Sequence, residues 1–489
     1  MQNKQQFFSN KLGFLFAAIA MAVGTGNIWR FPRMAAANGG GAFLIVLIIG
    51  VVVFSVPLLM SEMAIGRHTR KGSVGAVGDF MGKQFSWIGA WMGFVCIAIM
   101  FYYSVVAGWT IKYILLSLQG AFSQGSNTTD IWETFSANPR QTILFHLIAM
   151  AMTFGILFQG VSKGIERFSK IILPLLAVLL VIGAIRALTL PGASLGVKYL
   201  FNVDMEYLLN PRTWLEGFTQ AAWSTGAGWA LLMTYAIYTK PKDAIGGSMF
   251  GVVFADVAVA VIAGLAILPT IFALAPSLDY AHTALESGNV GLTFIYMSEL
   301  FTTMPGGFYM SLFFFLCLAF AAISSLISMV EVGVANLVTA GWERRRAVLF
   351  TCAVGFLCGI PSAYSLKFLD NQDFVWGVAL LVSGMFTAVA IMKFGVEKIR
   401  VEHLNEAGAK MKTGRWYNVL IYINPFIIIT LFAWLIYQSI VSDIDNWWNP
   451  FRVASTGTMV VQWVIILLVL IAANRWIARY FNPDADNDE

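Results

Sequence analysis

Charge is what this 489-residue chain has least of: Asp, Glu, Lys and Arg make up 12% of it, while 58% is hydrophobic. Soluble domains carry about 25% charged residues, so a water-facing globular fold is excluded. The formal net charge of +5 is small for this length and gives no reason to propose a nucleic-acid partner. Cysteine is scarce as well. Cys96, Cys317, Cys352 and Cys358 all lie in apolar runs without a Cys-x-x-Cys pair, so neither a disulfide framework nor a zinc site is indicated. His68, His146, His282 and His403 are scattered without metal-ligand spacing. No Walker motif, HExxH or GxSxG occurs, which weighs against an ATP-driven pump or a membrane hydrolase. The glycine pairs in GTGNIWR and GAGWAL follow no strand, as a dinucleotide fold would need. No enzyme and no organic cofactor is expected.

What the chain does have is long apolar runs, and about 20 residues suffice to cross a bilayer. Twelve spans are expected, near 12–37, 42–66, 86–118, 141–159, 168–189, 214–239, 244–274, 306–339, 347–365, 374–397, 416–440 and 456–480. The fold class is therefore an all-α membrane protein, one transmembrane domain over residues 1–489. The first run lacks a signal-peptide cleavage site. With the N-terminus inside, inner segments hold most of the basic residues, among them Arg67, Arg70, Lys71, Lys163, Arg344, Arg345, Arg346, Arg475 and Arg479. Outer segments hold only Arg140, Arg186, Lys198, Arg212, Lys367 and Arg452. This bias predicts that both termini are cytoplasmic. The outer loops at 119–140, 190–213 and 275–305 are long, and GLTFIYMSELF in the last predicts a short surface helix. The acidic tail after Pro483, DADNDE, predicts disorder.

Two runs are interrupted. In the first, Gly24, Thr25 and Gly26 sit at mid-depth, followed by Asn27, Arg30 and Pro32. Each glycine weakens a helix by roughly 1 kcal/mol relative to alanine, and a proline removes a donor. Gly226, Ala227 and Gly228 interrupt the sixth run. Backbone that leaves the helix at this depth is tolerated only where it lines a cavity or is buried in protein. Paired interruptions in matching halves point to an inverted-repeat transporter, with spans 1–5 (12–190) set against 6–10 (214–397) and two further helices at 416–480.

At the first break the carbonyls of Ala20, Ala22 and Val23 lose helical partners, and Asn27 adds an amide oxygen. Such hard oxygens suit an alkali cation. Ser224 adds a hydroxyl, and Asp256 is a lone carboxylate in FGVVFADVAVAVIAGL, for which a cation is the natural partner. Ser324, Ser325 and Ser328 lie in the eighth span, where serines ordinarily bond the carbonyl one turn back. Tyr103 could offer its hydroxyl to a carboxylate. Arg30 and Asp373 are near the outer side and could form a gate, although Asp373 in LDNQDF also reads as a helix cap. Gly164 and Pro174 at the inner half of the fifth span permit local unwinding.

GTGNIWRFP (24–32), NGGGAF (38–43), FYYSVVAGW (101–109), the GAG break (226–228) and AAISS (321–325) together resemble the neurotransmitter:sodium symporter family, bacterial branch, with its leucine-transporter fold. The resemblance runs over about 10–480. It implies coupled uptake of a small amine or amino acid with two sodium ions, in the bacterial cytoplasmic (inner) membrane, and allows a homodimer. By motif position the first sodium site would be Ala22, Asn27, Ser224 and Asp256, and the second Ala20, Val23, Ala321, Ser324 and Ser325. Tyr103 and Gly26 would meet the substrate carboxylate. Thr25, Ile99, Gly226, Trp229 and Met329 would line an apolar side-chain pocket. Arg30, Asp373 and Trp223 resemble the outer gate, and Gly164 with Pro174 the fifth-span element that unwinds.

Three departures refine this. Gly24 stands where the monoamine branch has aspartate, which favours a substrate bringing its own carboxylate. Asp256 stands where most relatives have asparagine, and Ala260 where chloride-dependent members have serine, which predicts chloride independence. Gln5 and Thr339 replace the inner gate's arginine and aspartate, leaving Lys4 and Glu343 as nearby substitutes. The expected function is sodium-coupled symport of a neutral, hydrophobic or aromatic L-amino acid. The alternatives are a sodium- and chloride-dependent amine or osmolyte carrier of the same fold, and a nontransporting sensor or channel.

Overall fold

A computed structural model describes residues 6–240, 247–405 and 412–482. The tail 483–489, expected to be disordered, lies outside the described residues, as do Lys4 and Gln5. Among the described residues helix is the regular structure throughout, apart from one isolated bridge between Gly40 and Val203. A helix satisfies its backbone within one segment, which is what lipid demands. Among the described residues nine helices are long and apolar enough to cross a membrane, or eleven when each of two bent pairs counts as one span. The first pair, Lys11–Ala22 and Gly26–Ala37, is bent by 47°. The second, Thr456–Ala472 and Asn474–Phe481, is bent by 66° where a straight run to residue 480 was expected. The sixth expected run is split into Pro211–Thr225 and Leu231–Ile237, neither of which is long enough to cross alone.

The spans at Lys83–Leu118 and Gly307–Thr339 form the middle of the bundle, and their most apolar windows are 78% and 83% buried. Trp416–Ser442 lies at the rim with 22% of its window buried, turning Phe426 and Ile429 outward. Such a face suits hydrocarbon. The tenth span begins earlier than expected, at Leu366, because Ser365 caps it by accepting from the Phe368 N–H at 3.3 Å. Asp373 is therefore inside a helix and is not its cap. The GLTFIYMSELF stretch is helical over Gly291–Tyr296 and Met297–Thr303, but Leu292, Phe294, Met297 and Leu300 are buried. It packs into the bundle, with Phe294 against Tyr113 at 4.7 Å between ring centroids.

NGGGAF is explained by close backbone approach. Gly40 has φ +53°, and a Cβ there would overlap the Tyr199 carbonyl oxygen. The Gly41 N–H donates to the Asn202 carbonyl at 2.9 Å. The turn between the first two spans is thus clamped to the segment before the sixth. Replacing Gly40 with alanine should lower the melting temperature of purified protein, since left-handed backbone strain alone costs roughly 1–3 kcal/mol. Gly155→Ala, where a Cβ meets nothing within 4 Å, should leave melting nearly unchanged.

Candidate functional site

The two breaks face each other. The first helix ends at Ala22 because the next donor is diverted: the Gly24 N–H, which would close a turn on Ala20, donates instead to Asn27 Oδ1 at 3.0 Å. Helical backbone resumes at Gly26 in a wide π turn. In the sixth run Gly226 and Gly228 have φ +71° and +89°, and Ala230 is left-handed as well at +58°. A Cβ at Gly228 would come within 2.8 Å of the Gly384 Cα, so this break lies backbone to backbone on the tenth span.

Asn27, Ser224 and Asp256 converge between the breaks. The Asn27 Nδ2 donates to Asp256 Oδ1 at 2.7 Å and to Ser224 Oγ at 3.2 Å, and Ser224 Oγ donates to Asp256 Oδ2 at 2.6 Å. Asp256 and Asn27 are fully buried. Among the described residues no Lys or Arg pairs with Asp256, so its compensation comes from neutral groups alone. A buried carboxylate, a hydroxyl and an amide within reach of one another are a hard-oxygen donor set that fits sodium. For a cation the Asn27 amide must turn its oxygen to the cluster, giving up the Gly24 contact. Ala260, one turn on, is buried and offers no hydroxyl.

The second expected set gathers where the eighth span crosses the end of the first helix. Ser325 Oγ donates to the Met21 carbonyl at 3.5 Å. Ser324 Oγ makes the ordinary back-bond to Ala321 at 2.9 Å. Ala20, Val23 and Ala321 are buried. The freed Ala20 carbonyl and two hydroxyls are again hard oxygens, so these residues also fit a sodium ion.

A cavity of about 640 Å³ opens from the breaks toward the expected outer face. Ala22, Gly24, Thr25, Gly26, Tyr103, Trp223, Ser224, Gly226, Trp229, Ser325 and Met329 all line it. Ile99 does not, being fully buried behind it. The Tyr103 hydroxyl accepts from Thr25 Oγ1 at 3.2 Å, which holds it at the first break. A Cβ on Gly24 would meet Ser325 Oγ at 3.0 Å and Tyr103 Oη at 3.6 Å. Trp223 and Trp229 pack edge to face at 5.3 Å, and the Trp223 indole fills the room that Gly377 leaves by having no side chain. Arg30 and Asp373 line the part of the cavity toward the expected outer face, and among the described residues they do not pair with each other. Arg30 instead donates to Gln220 Oε1 at 2.6 Å and Glu216 Oε2 at 3.3 Å.

On the expected inner side, side chains pack over the breaks. Phe8 packs edge-on against Tyr235 and Tyr238, and its N–H donates to the Tyr238 carbonyl at 2.9 Å. Ser9 donates to the Glu166 carboxylate, which also takes Lys170 at 2.5 Å. Gly164 lies beside Glu166 in a π turn, Val161–Glu166, where a Cβ would overlap the Ile156 carbonyl oxygen; Pro174 is inside the following helix. Thr339 Oγ1 accepts from the Gly72 N–H at 2.8 Å, and among the described residues Glu343 pairs only with the exposed Arg346. The ion pair that joins elements here is Glu331 with Arg344, bidentate at 2.6 and 2.8 Å, with Tyr238 donating to Glu331 at 2.6 Å.

Sequence reading missed Glu62 altogether. It is fully buried in the second span and accepts from the Gly228 and Met233 N–H groups at 2.7 and 3.3 Å, answering donors freed by the sixth break. The signal was there: Glu62 is a lone acid in LLMSEMAIG, as Asp256 is in its own run.

The comparisons with known proteins agree with this geometry. The family model "Sodium:neurotransmitter symporter family" matches residues 5–141 and 138–480. An uncharacterised sodium-dependent transporter of Bacillus subtilis, YhdH, is 30% identical over 453 residues, covering 89% of this chain and 98% of that one. A sodium-dependent transporter of Haemophilus influenzae is 28% identical, covering 88% and 98%. The crystal structure of MhsT in complex with L-phenylalanine superposes with a TM-score of 0.78 at 31% identity, over 88% of this chain and 99% of that one. Multiple apolar helices with two oxygen-lined breaks thus meet a matching family model, and the chain belongs to the sodium:neurotransmitter symporter family.

Proposed function

We propose that this protein is a chloride-independent symporter that couples two sodium ions to uptake of a neutral, hydrophobic or aromatic L-amino acid by alternating access. The observation that carries the reading is Asp256: a fully buried carboxylate without a basic partner, beside Asn27 and Ser224, where two broken helices meet a cavity. A cation bound there would supply the positive charge that an amino-acid carboxylate needs. The protein's own part is to hold Tyr103 and the first-break amides where that carboxylate would sit. Gly24 brings no acid to pair with a substrate amine, which favours amino acids over monoamines. Thr25, Trp223, Trp229 and Met329 offer apolar and aromatic surface, and the relative MhsT was crystallised with L-phenylalanine. Asp256 already supplies negative charge beside the first site, so chloride has no task there.

The cavity reaches outward past Arg30 while Phe8 and the Glu331–Arg344 pair shut the inner side, which supports an outward-facing member of the cycle. In that cycle the halves 12–190 and 214–397 would move against each other, in the inner membrane with cytoplasmic termini. Ions and substrate that share a site raise each other's affinity by the same factor.

Three measurements check the reading. In sealed liposomes, an imposed inward sodium gradient should drive concentrative uptake of phenylalanine with or without chloride, whereas a potassium gradient should drive none; equal uptake in potassium removes the ion sites. Asp256→Asn should weaken sodium-dependent binding by at least tenfold in chloride-free buffer, with part of the loss recovered on adding chloride; an unaffected variant overturns the charge argument. Tyr103→Phe should raise the amino-acid Kd by roughly 10-fold or more, as hydrogen bonds to charged groups are worth about 1.5–3 kcal/mol; an unchanged Kd places the carboxylate elsewhere.

A further inference from the structure

The last described helix, Asn474–Phe481, is not part of any transport site, yet its faces differ sharply. Ile477 and Ala478 are buried, while Arg475, Trp476 and Arg479 are exposed. Trp476 is 61% exposed and lies flat on Tyr480, with centroids 5.1 Å apart.

The buried side is fixed at three places. Asn474 accepts from the Trp87 N–H at 2.8 Å and donates to the Lys83 carbonyl at 3.2 Å. The Tyr480 hydroxyl accepts from Trp342 Nε1 at 2.7 Å. The residue after the helix, Asn482, accepts from Lys71 Nζ at 2.6 Å and donates to Asp79 Oδ1 at 2.7 Å. The helix therefore rests on the loop between the second and third spans and on the turn after the eighth.

The other side is cationic. Among the described residues Arg475 and Arg479 make no ion pair or side-chain hydrogen bond. The acid nearest in this network, Asp79, is already engaged by Lys71. Arg345 and Arg346, which follow Trp342, are both exposed, Arg346 beside Glu343. The preceding helix, Thr456–Ala472, is long and apolar, and the chain turns 66° as it ends. That turn takes 474–481 off the axis of the apolar run, at the level where that run ends. Arginines beside an exposed tryptophan at that level match the chemistry of interfacial helices on anionic lipid.

We propose that helix 474–481 binds anionic phospholipid of the inner leaflet, Arg475 and Arg479 taking the phosphates and Trp476 resting at the acyl boundary. Bound lipid then secures the 71–85 loop through Asn474 and Asn482. The occupant is lipid because the helix emerges directly from a membrane span and its exposed charge is all positive.

The test is thermal melting of the full chain in a neutral detergent, titrated with phosphatidylglycerol or phosphatidylcholine. Phosphatidylglycerol should raise the melting temperature and phosphatidylcholine should not, with the difference lost in roughly 1 M salt, where the Debye length falls to about 3 Å. R475Q/R479Q should need roughly 25-fold more phosphatidylglycerol for the same shift, about 5-fold for each arginine. R475K/R479K should keep the response, as should R140Q on the opposite face. Equal stabilisation by both lipids, or a full response from R475Q/R479Q, overturns the proposal. So does a phosphatidylglycerol response that emerges only when residues 484–489 are deleted, since the acidic tail would then be the occupant.

Discussion

A backbone amide or carbonyl stripped of its helical partner at mid-bilayer finds no water to bond, and each such group costs several kcal/mol if left unanswered. The rest of this structure follows from how that demand is met at two breaks. At the first, Asn27 reaches back to the Gly24 N–H, and the Tyr103 hydroxyl sits on Thr25. At the second, Glu62 reaches across from the second span to the Gly228 and Met233 N–H groups. Donors are thus covered by side chains, whereas the Ala20 carbonyl loses its helical donor and the neighbouring Met21 carbonyl faces Ser325 of the eighth span. This asymmetry is what makes the place suitable for a cation.

The inner closure is built differently, from a short segment tying distant elements together. Residues 6–9 connect the π turn before the fifth span to the inner half of the sixth. Gln6 accepts from the Val161 N–H, Phe8 wedges beside Tyr235 and Tyr238, and Ser9 binds Glu166. Gly13 is needed for that last contact, since a Cβ there would overlap the Glu166 carboxylate. Glu331 and Arg344 stand behind this wedge as a buried bidentate pair. Losing one partner of such a pair leaves an uncompensated charge, typically at a cost of about 3–5 kcal/mol.

Much of this was legible in the sequence, for physical reasons. Lipid makes apolar runs and misplaced glycines conspicuous, so the spans, the breaks at 24–26 and 226–228, and the lone Asp256 could all be read directly. Glu62 gave the same signal and was passed over because no glycine break adjoins it in sequence; its partner is 166 residues away. The inner pair was harder. Arg344 looks like one of three loop arginines, and nothing local distinguishes it from Arg345 or Arg346, because its role depends on how the eighth span and the ninth meet. The bend at Ala473 was invisible for a related reason: NRWIARYF holds no proline or glycine to mark a break, and it is the docking of Asn474 and Tyr480 that turns it aside.

Trp223 and Gly377 carry one consequence for selectivity. The indole is parked against the tenth span only because position 377 has no side chain to oppose it. Any methyl added there would overlap the ring and force it to move within the cavity that it lines. The volume of the cavity can therefore be retuned from the neighbouring scaffold while the polar contacts among Thr25, Tyr103, Asn27 and Asp256 stay as they are. Divergence in substrate size among such carriers need not leave a mark on the residues that grip the substrate.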